Sequence, residues 1–116
     1  MRHRKKDKIL SRTAAPKKAL LRSLVTSLVV YESIKTTQAK AKAAQKIVEK
    51  VITLGKKKDL ASRRQILTIV YGENPTKKVM DVLAPRFEKR VGGYTRIVKV
   101  GRRLGDAAEM VKLEFV

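Results

Sequence analysis

GGYTRIVKVGRRLGDAAEMVKLEFV, residues 92–116, decides the fold class of this 116-residue chain. Gly92-Gly93 is a turn signal, and Tyr94 to Val100 is rich in β-branched residues, which predicts a strand. Gly101 to Asp106 reads as a basic loop. Val111, Leu113 and Phe115 then alternate with Lys112 and Glu114, the period of two expected of a half-buried strand. Two such strands joined by a loop predict a hairpin.

Upstream the apolar residues recur at helical spacing. Thr13 can cap a first helix, and Leu21, Leu24, Val25 and Leu28 form its stripe. The run Val29 to Thr36 predicts a short strand near residue 34 that joins the hairpin in one sheet. Thr37 caps a second helix with Ala44, Ile47, Val48, Val51 and Ile52 on its apolar face, and Gly55 sits where helices commonly stop. Lys40, Lys42, Lys46 and Lys50 stud the rest of its surface. Asp59 caps a third helix, with Leu60, Leu67 and Val70 inward, Arg63 and Arg64 exposed, and Gly72 at its end. Asn74-Pro75 opens a fourth, with Val79, Met80 and Leu83 inward and Pro85 ending or kinking it.

The order helix, strand, three helices, two strands predicts an α+β fold in two layers, a small mixed sheet with helices on one face. Residues 1–12, MRHRKKDKILSR, carry six basic residues and one acid with no helical apolar face. They predict a basic N-terminal arm that orders against phosphates, ahead of a single domain over residues 13–116.

Composition narrows the function. Apolar residues make up 43% of the chain but aromatics only 4%, and Trp is absent, so the core must rest on Leu, Ile, Val and Ala. Twenty-nine Lys and Arg against ten Asp and Glu give a formal charge of +19. Such an excess repels itself in a compact body, and a polyanion relieves the repulsion while releasing condensed counterions. The first fifty residues hold 14 basic and three acidic residues and the remainder 15 and seven, so the whole body is cationic rather than one tail. That distribution points to folded RNA that meets the protein on several sides.

Catalysis finds no support. The ten acids are scattered, and no pair has a spacing that forces two carboxylates together. His3, the sole histidine, lies in the arm, where a general base lacks fixed geometry. The absence of Cys excludes disulfides and thiolate metal sites. There is no GxxxxGK[ST] loop and no GxGxxG turn for a nucleotide. The longest apolar run, Leu24 to Tyr31, contains Thr26 and Ser27 and falls well short of the roughly 20 residues of a membrane span. The expectation is no enzyme, no metal, no cofactor and no small-molecule substrate.

The sharpest local signal is PRFEKRVGGYTRIVKVGRR, residues 85–103. Arg86, Arg90, Arg96, Arg102 and Arg103 favour the guanidinium fork, which matches phosphate in bidentate fashion. Gly92 and Gly93 let backbone approach RNA closely. Tyr94 can stack on an unpaired base or ribose, or pack over the sheet. The charge reading adds Lys6, Lys8 and Arg12 in the arm and Lys17, Lys18 and Arg22 on the first helix.

Together the start MRHRK, the stretch LSRTAAPKKALLRSLVTSL, the piece IKTTQAKAK, the run VITLGKKKDLASRRQ and the segment APRFEKRVGGYTRIVKVGRRLGDAAEMVKLEFV resemble the bacterial large-subunit ribosomal protein seventeen family. The resemblance runs from Met1 to Val116. It implies a structural subunit of the large ribosomal particle in the cytoplasm that binds large-subunit ribosomal RNA near the peptide exit region, beside other large-subunit ribosomal proteins. It also implies the same α+β order. By motif, the implied RNA contacts are Arg2, His3, Arg4 and Lys5; Lys35, Thr36, Thr37, Lys40 and Lys42; Arg63 and Arg64; and Arg86, Arg90, Tyr94, Thr95 and Arg96. Pro16-Lys17 stands where the family often carries a histidine–arginine pair, and the charge at residue 17 survives. An Arg-rich, acid-poor start can mimic a transit peptide, but a resemblance that begins at Met1 implies that none is cleaved. The alternative reading is another RNA- or DNA-binding structural protein without catalysis.

Overall fold

The computed structural model describes residues 14–116, and of Ala14 only the backbone. The arm expected over residues 1–12 and the Thr13 cap lie outside the described residues.

Helix α1 spans Ala14–Tyr31 and strand β1 Ser33–Thr37. The strand expected from Val29 therefore begins four residues late. Val25, Leu28 and Val29 are all fully buried, so Val29 continues the helical stripe. Burying such a side chain is worth about 1.5–3 kcal/mol, which outweighs the few tenths by which a β-branched residue disfavours a helix. Glu32 ends α1 in the left-handed region, at φ 66, with its N–H donated to the Leu28 carbonyl at 2.7 Å.

Helix α2 (Gln38–Gly55) follows β1 directly. Thr37 occupies its cap position in an extended conformation, without a side-chain capping bond. Ala41, Ala44, Val48, Val51 and Ile52 are fully buried. Gly55 is the last helical residue rather than a left-handed terminator, since Lys56 after it is still right-handed. Its role is close approach. A Cβ built there meets Val79 Cγ1 at 2.9 Å and Ala84 Cβ at 3.2 Å.

Asp59 caps α3 (Leu60–Ile69), its carboxylate accepting from the Ser62 N–H at 2.7 Å. Leu60, expected inward, is 61% exposed, and Ile66 is fully buried in its place. Ile66 and Val70 lie four residues apart and share a face, whereas Leu60 opens the helix on another side. Arg63, expected exposed, is half-buried. Gly72, at φ 93, starts the next helix rather than ending α3.

Helix α4 (Glu73–Lys78) runs through a π-helical turn, Val79–Leu83, into a last turn α5 (Ala84–Arg86) with helical backbone throughout. The wide turn explains how Pro85 sits inside the rod. A proline has no N–H to donate and its ring crowds the carbonyl four residues back, and widening the preceding turn relieves both problems. Val79 and Leu83 point inward as expected, and Met80 packs against the core from the side.

Strands β2 (Thr95–Arg102) and β3 (Glu109–Phe115) form the hairpin. The sheet order is β1-β3-β2, antiparallel at both junctions. The sheet is thus not mixed. Antiparallel entry of β1 sets Thr36 opposite Val111 and Ile34 opposite Leu113, while Ile97 also faces Leu113. Partners in such a ladder share a face, so the apolar positions of all three strands turn together toward the helices. β2 extends past the expected end to Gly101 and Arg102, with a register shift between Lys99 and Gly101. Phe87, Tyr94 and Phe115 close one end of the core, with ring centres 5.4 and 5.9 Å apart.

Candidate nucleic-acid interface

The site is a matter of which cations the protein itself neutralises. Glu32 lies at the α1–β1 corner. It meets Arg86 Nη1 at 2.5 Å and Lys78 Nζ at 3.2 Å. Those bonds, Arg86 first, hold its carboxyl below the usual range. Glu114 on β3 takes Arg96 at 2.6 Å and Lys112 at 3.1 Å, and its carboxyl is lowered for the same reason. Asp106 holds Arg103 with two bonds, 3.1 and 2.6 Å, and accepts the Ala108 N–H. Its carboxyl falls to about 2, chiefly through Arg103. Lys99 approaches Glu109 at 3.6 Å. These pairs lie at the surface, with Glu114 the least exposed member at 15%, so each is worth little on its own.

Other cations are tied to carbonyls. Arg22 donates to the carbonyls of Ile69 at 3.2 Å and Val70 at 3.1 Å, and its guanidinium lies 4.1 Å from the centre of the Tyr71 ring. It finishes the C-terminus of α3, where orphan carbonyls need donors. Lys56 donates to the Arg90 carbonyl and rests 4.5 Å from the centre of the Tyr94 ring. Arg90 donates to the Gly93 carbonyl at 3.2 Å.

Tyr94, expected to offer a ring to RNA, is 1% exposed. Its ring lies between Phe87 and Lys56, and its N–H donates to both Glu49 carboxylate oxygens, at 2.9 and 3.1 Å. A ring enclosed in this way has no free face for a base. Thr95 is also buried and donates to Glu49, while Thr36 is buried at the sheet–α2 junction. Gly92 and Gly93 are exposed with nothing within 4 Å of a Cβ, and Gly93 has φ 65, so a turn needs glycine there.

The remaining expected contacts stay at the surface. Lys18, Lys35, Lys42, Arg64, Arg86, Arg90, Arg96, Arg102 and Arg103 are exposed; Lys17, Thr37, Lys40 and Arg63 are half-buried. Lys35, Lys40 and Lys42 flank the β1–α2 junction in sequence, but Lys40 and Lys42, two residues apart on α2, point to different sides of the helix. Lys35 stands directly opposite Lys112 on the face of the sheet that carries no helices, one step from Glu114. Arg2, His3, Arg4, Lys5, Lys6, Lys8 and Arg12 lie outside the described residues. Among the described residues no helix is long and apolar enough to cross a membrane.

Sequence reasoning missed Glu49, Glu32 and Glu114 as organisers of the basic segments. Glu114 had a local signal, two residues from Lys112 on one strand face. Glu49 and Glu32 had none, since their partners lie 45 and 54 residues away.

Residues 20–116 match the family model described as Ribosomal protein L17. The chain is 51% identical over 117 residues to the large ribosomal subunit protein bL17 of Hydrogenobaculum sp. (strain Y04AAS1), covering 100% of this chain and 99% of that protein. It is 54% identical to the protein of the same name from Desulforamulus reducens, covering 90% of this chain and 93% of that one. Against the bL17 of Syntrophotalea carbinolica the identity is 45%, over 100% of this chain and 75% of the relative.

Proposed function

The chain belongs to the ribosomal protein L17 family, and from that premise we propose that its cationic body binds and stabilises folded large-subunit ribosomal RNA. As a member it is a structural constituent of the large ribosomal subunit in the cytoplasmic ribosome, and not an enzyme. Its partners are ribosomal RNA and neighbouring ribosomal proteins, and its place is near the peptide exit region.

One observation carries the reading. Among the described residues four carboxylates engage six cations in ion pairs, while exposed cations such as Lys35, Lys42, Arg64 and Arg102 are in none of them. A chain of +19 that leaves so many cations unmatched is built for phosphates. The arm, with Arg2, His3, Arg4 and Lys5, threads among further phosphates. Specificity then comes from RNA shape rather than a base code, and the enclosed Tyr94 ring takes no part in it.

Two measurements test this. The tagged chain should sediment with the large subunit in a lysate gradient, and hydroxyl-radical probing should show rRNA segments protected only when the chain is present. Absence from the large particle, or protection unchanged by its removal, contradicts the proposal. Equal affinity for duplex DNA and structured rRNA at moderate salt would favour a general nucleic-acid binder.

A further inference from the structure

Among the described residues, the exposed side of α2 carries basic residues and no acid. Ala39, Lys42, Lys46, Lys50 and Thr53 are its exposed residues, spaced three or four apart, so they form one narrow stripe on one side of the helix. The three lysines stand four residues apart, and each step rises about 6 Å along the axis. That step is of the order of the separation between neighbouring phosphates on one nucleic-acid strand. No ion pair among the described residues includes Lys42, Lys46 or Lys50. The only acid on α2 is Glu49, and its carboxylate is drawn away by the N–H of Tyr94 and the hydroxyl of Thr95.

Nothing in the fold calls for this arrangement. Like charges four apart on a helix repel, and the first turns of α2 carry Lys40 and Lys42 with no acid, the reverse of what the helix dipole favours. The uncovered sheet face differs. There Lys112 and Arg96 are already taken by Glu114.

From this we infer that Lys42, Lys46 and Lys50 form a rail that grips consecutive phosphates along one strand of a ribosomal RNA segment. The inference rests on the rRNA-binding reading and deepens it by assigning a surface. The occupant is a phosphate backbone and not a membrane. The stripe's only other side chains are Ala39 and Thr53, and the apolar face of α2 is consumed by the core, so no amphipathic surface remains to enter lipid.

The test compares the full chain with K42Q/K46Q/K50Q and with K58Q/K77Q/K89Q, which removes equal charge from exposed positions elsewhere. Binding to a large-subunit rRNA transcript is measured from about 50 to 200 mM salt. Each lost phosphate contact lowers the slope of log K against log salt by about 0.7–0.9. The rail variant should therefore lose about 2–3 units of slope and the control less than about 1. Equal losses, or a rail variant with the wild-type slope, overturn the inference while leaving RNA binding intact. A wild-type chain that ignores the transcript removes both. Polyglutamate competing as well as the transcript, charge for charge, would assign the rail to an acidic protein and overturn it. The rail variant should melt at or above the wild-type temperature; a lower melting point would mark the lysines as structural and count against the inference.

Discussion

Arg22 and Tyr71 are stacked, with the guanidinium 4.1 Å from the ring centre, and the same guanidinium donates to the carbonyls of Ile69 and Val70. An arginine of α1 thereby closes the end of α3 across 47 and 48 residues of chain. Hydrogen bonds to a charged group are worth about 1.5–3 kcal/mol. Arg22→Ala should destabilise the protein by about 2 kcal/mol, with a fall in melting midpoint of about 10 °C. Arg22→Lys should recover only part, since an ammonium lacks the planar fork. The salt slope for rRNA should change by less than about 1. A variant with wild-type stability and a much shallower slope would show that Arg22 serves RNA instead.

Gly55 reverses the usual helix rule. In an exposed helix Gly→Ala stabilises by up to about 1 kcal/mol. Here the new methyl lies 2.9 Å from Val79 Cγ1 and 3.2 Å from Ala84 Cβ, and overpacking typically costs about 1–3 kcal/mol. Gly55→Ala should therefore lower the urea midpoint, and Val79→Ala in the same chain should recover part of the loss. The double-mutant cycle measures the coupling. Independent, additive effects would show that α2 and the π-helical turn do not touch as described.

Asp106 sets an acid limit on the hairpin tip. Its folded value is about 2 against an ordinary 3.8. Because the folded value is depressed, the Arg103 pairing contributes above about pH 4 and is lost as pH falls toward 2. A carboxyl-carbon NMR titration should place its midpoint near 2, and Asp106→Asn should remove that part of the hairpin's acid sensitivity. A midpoint at the ordinary 3.8 would mean the pair does not form in solution.

The element order was legible because period-two and period-3.6 patterns are written locally, as in Val111, Leu113 and Phe115 or Val48, Val51 and Ile52. The misreadings have tertiary causes. Val29 is β-branched yet helical, because its neighbours Val25 and Leu28 need a third member on their stripe. The direction of β1 could not be read from β1 itself, since pairing with β3 decides it. Tyr94 sits in a basic, glycine-rich run that looks exposed, but Glu49 holds its N–H from another element. The exposed lysines of α2 were visible as surface, whereas the absence of carboxylate partners depends on the fold and on where Glu49 is drawn.

The central claim is that unmatched cations on the folded body meet ribosomal RNA phosphates. Its most direct test is the equilibrium affinity of the intact chain for large-subunit rRNA as a function of salt. With about six to ten phosphates engaged, affinity should fall by roughly 10³–10⁵ between 50 and 200 mM. An affinity that stays flat across that range would contradict it.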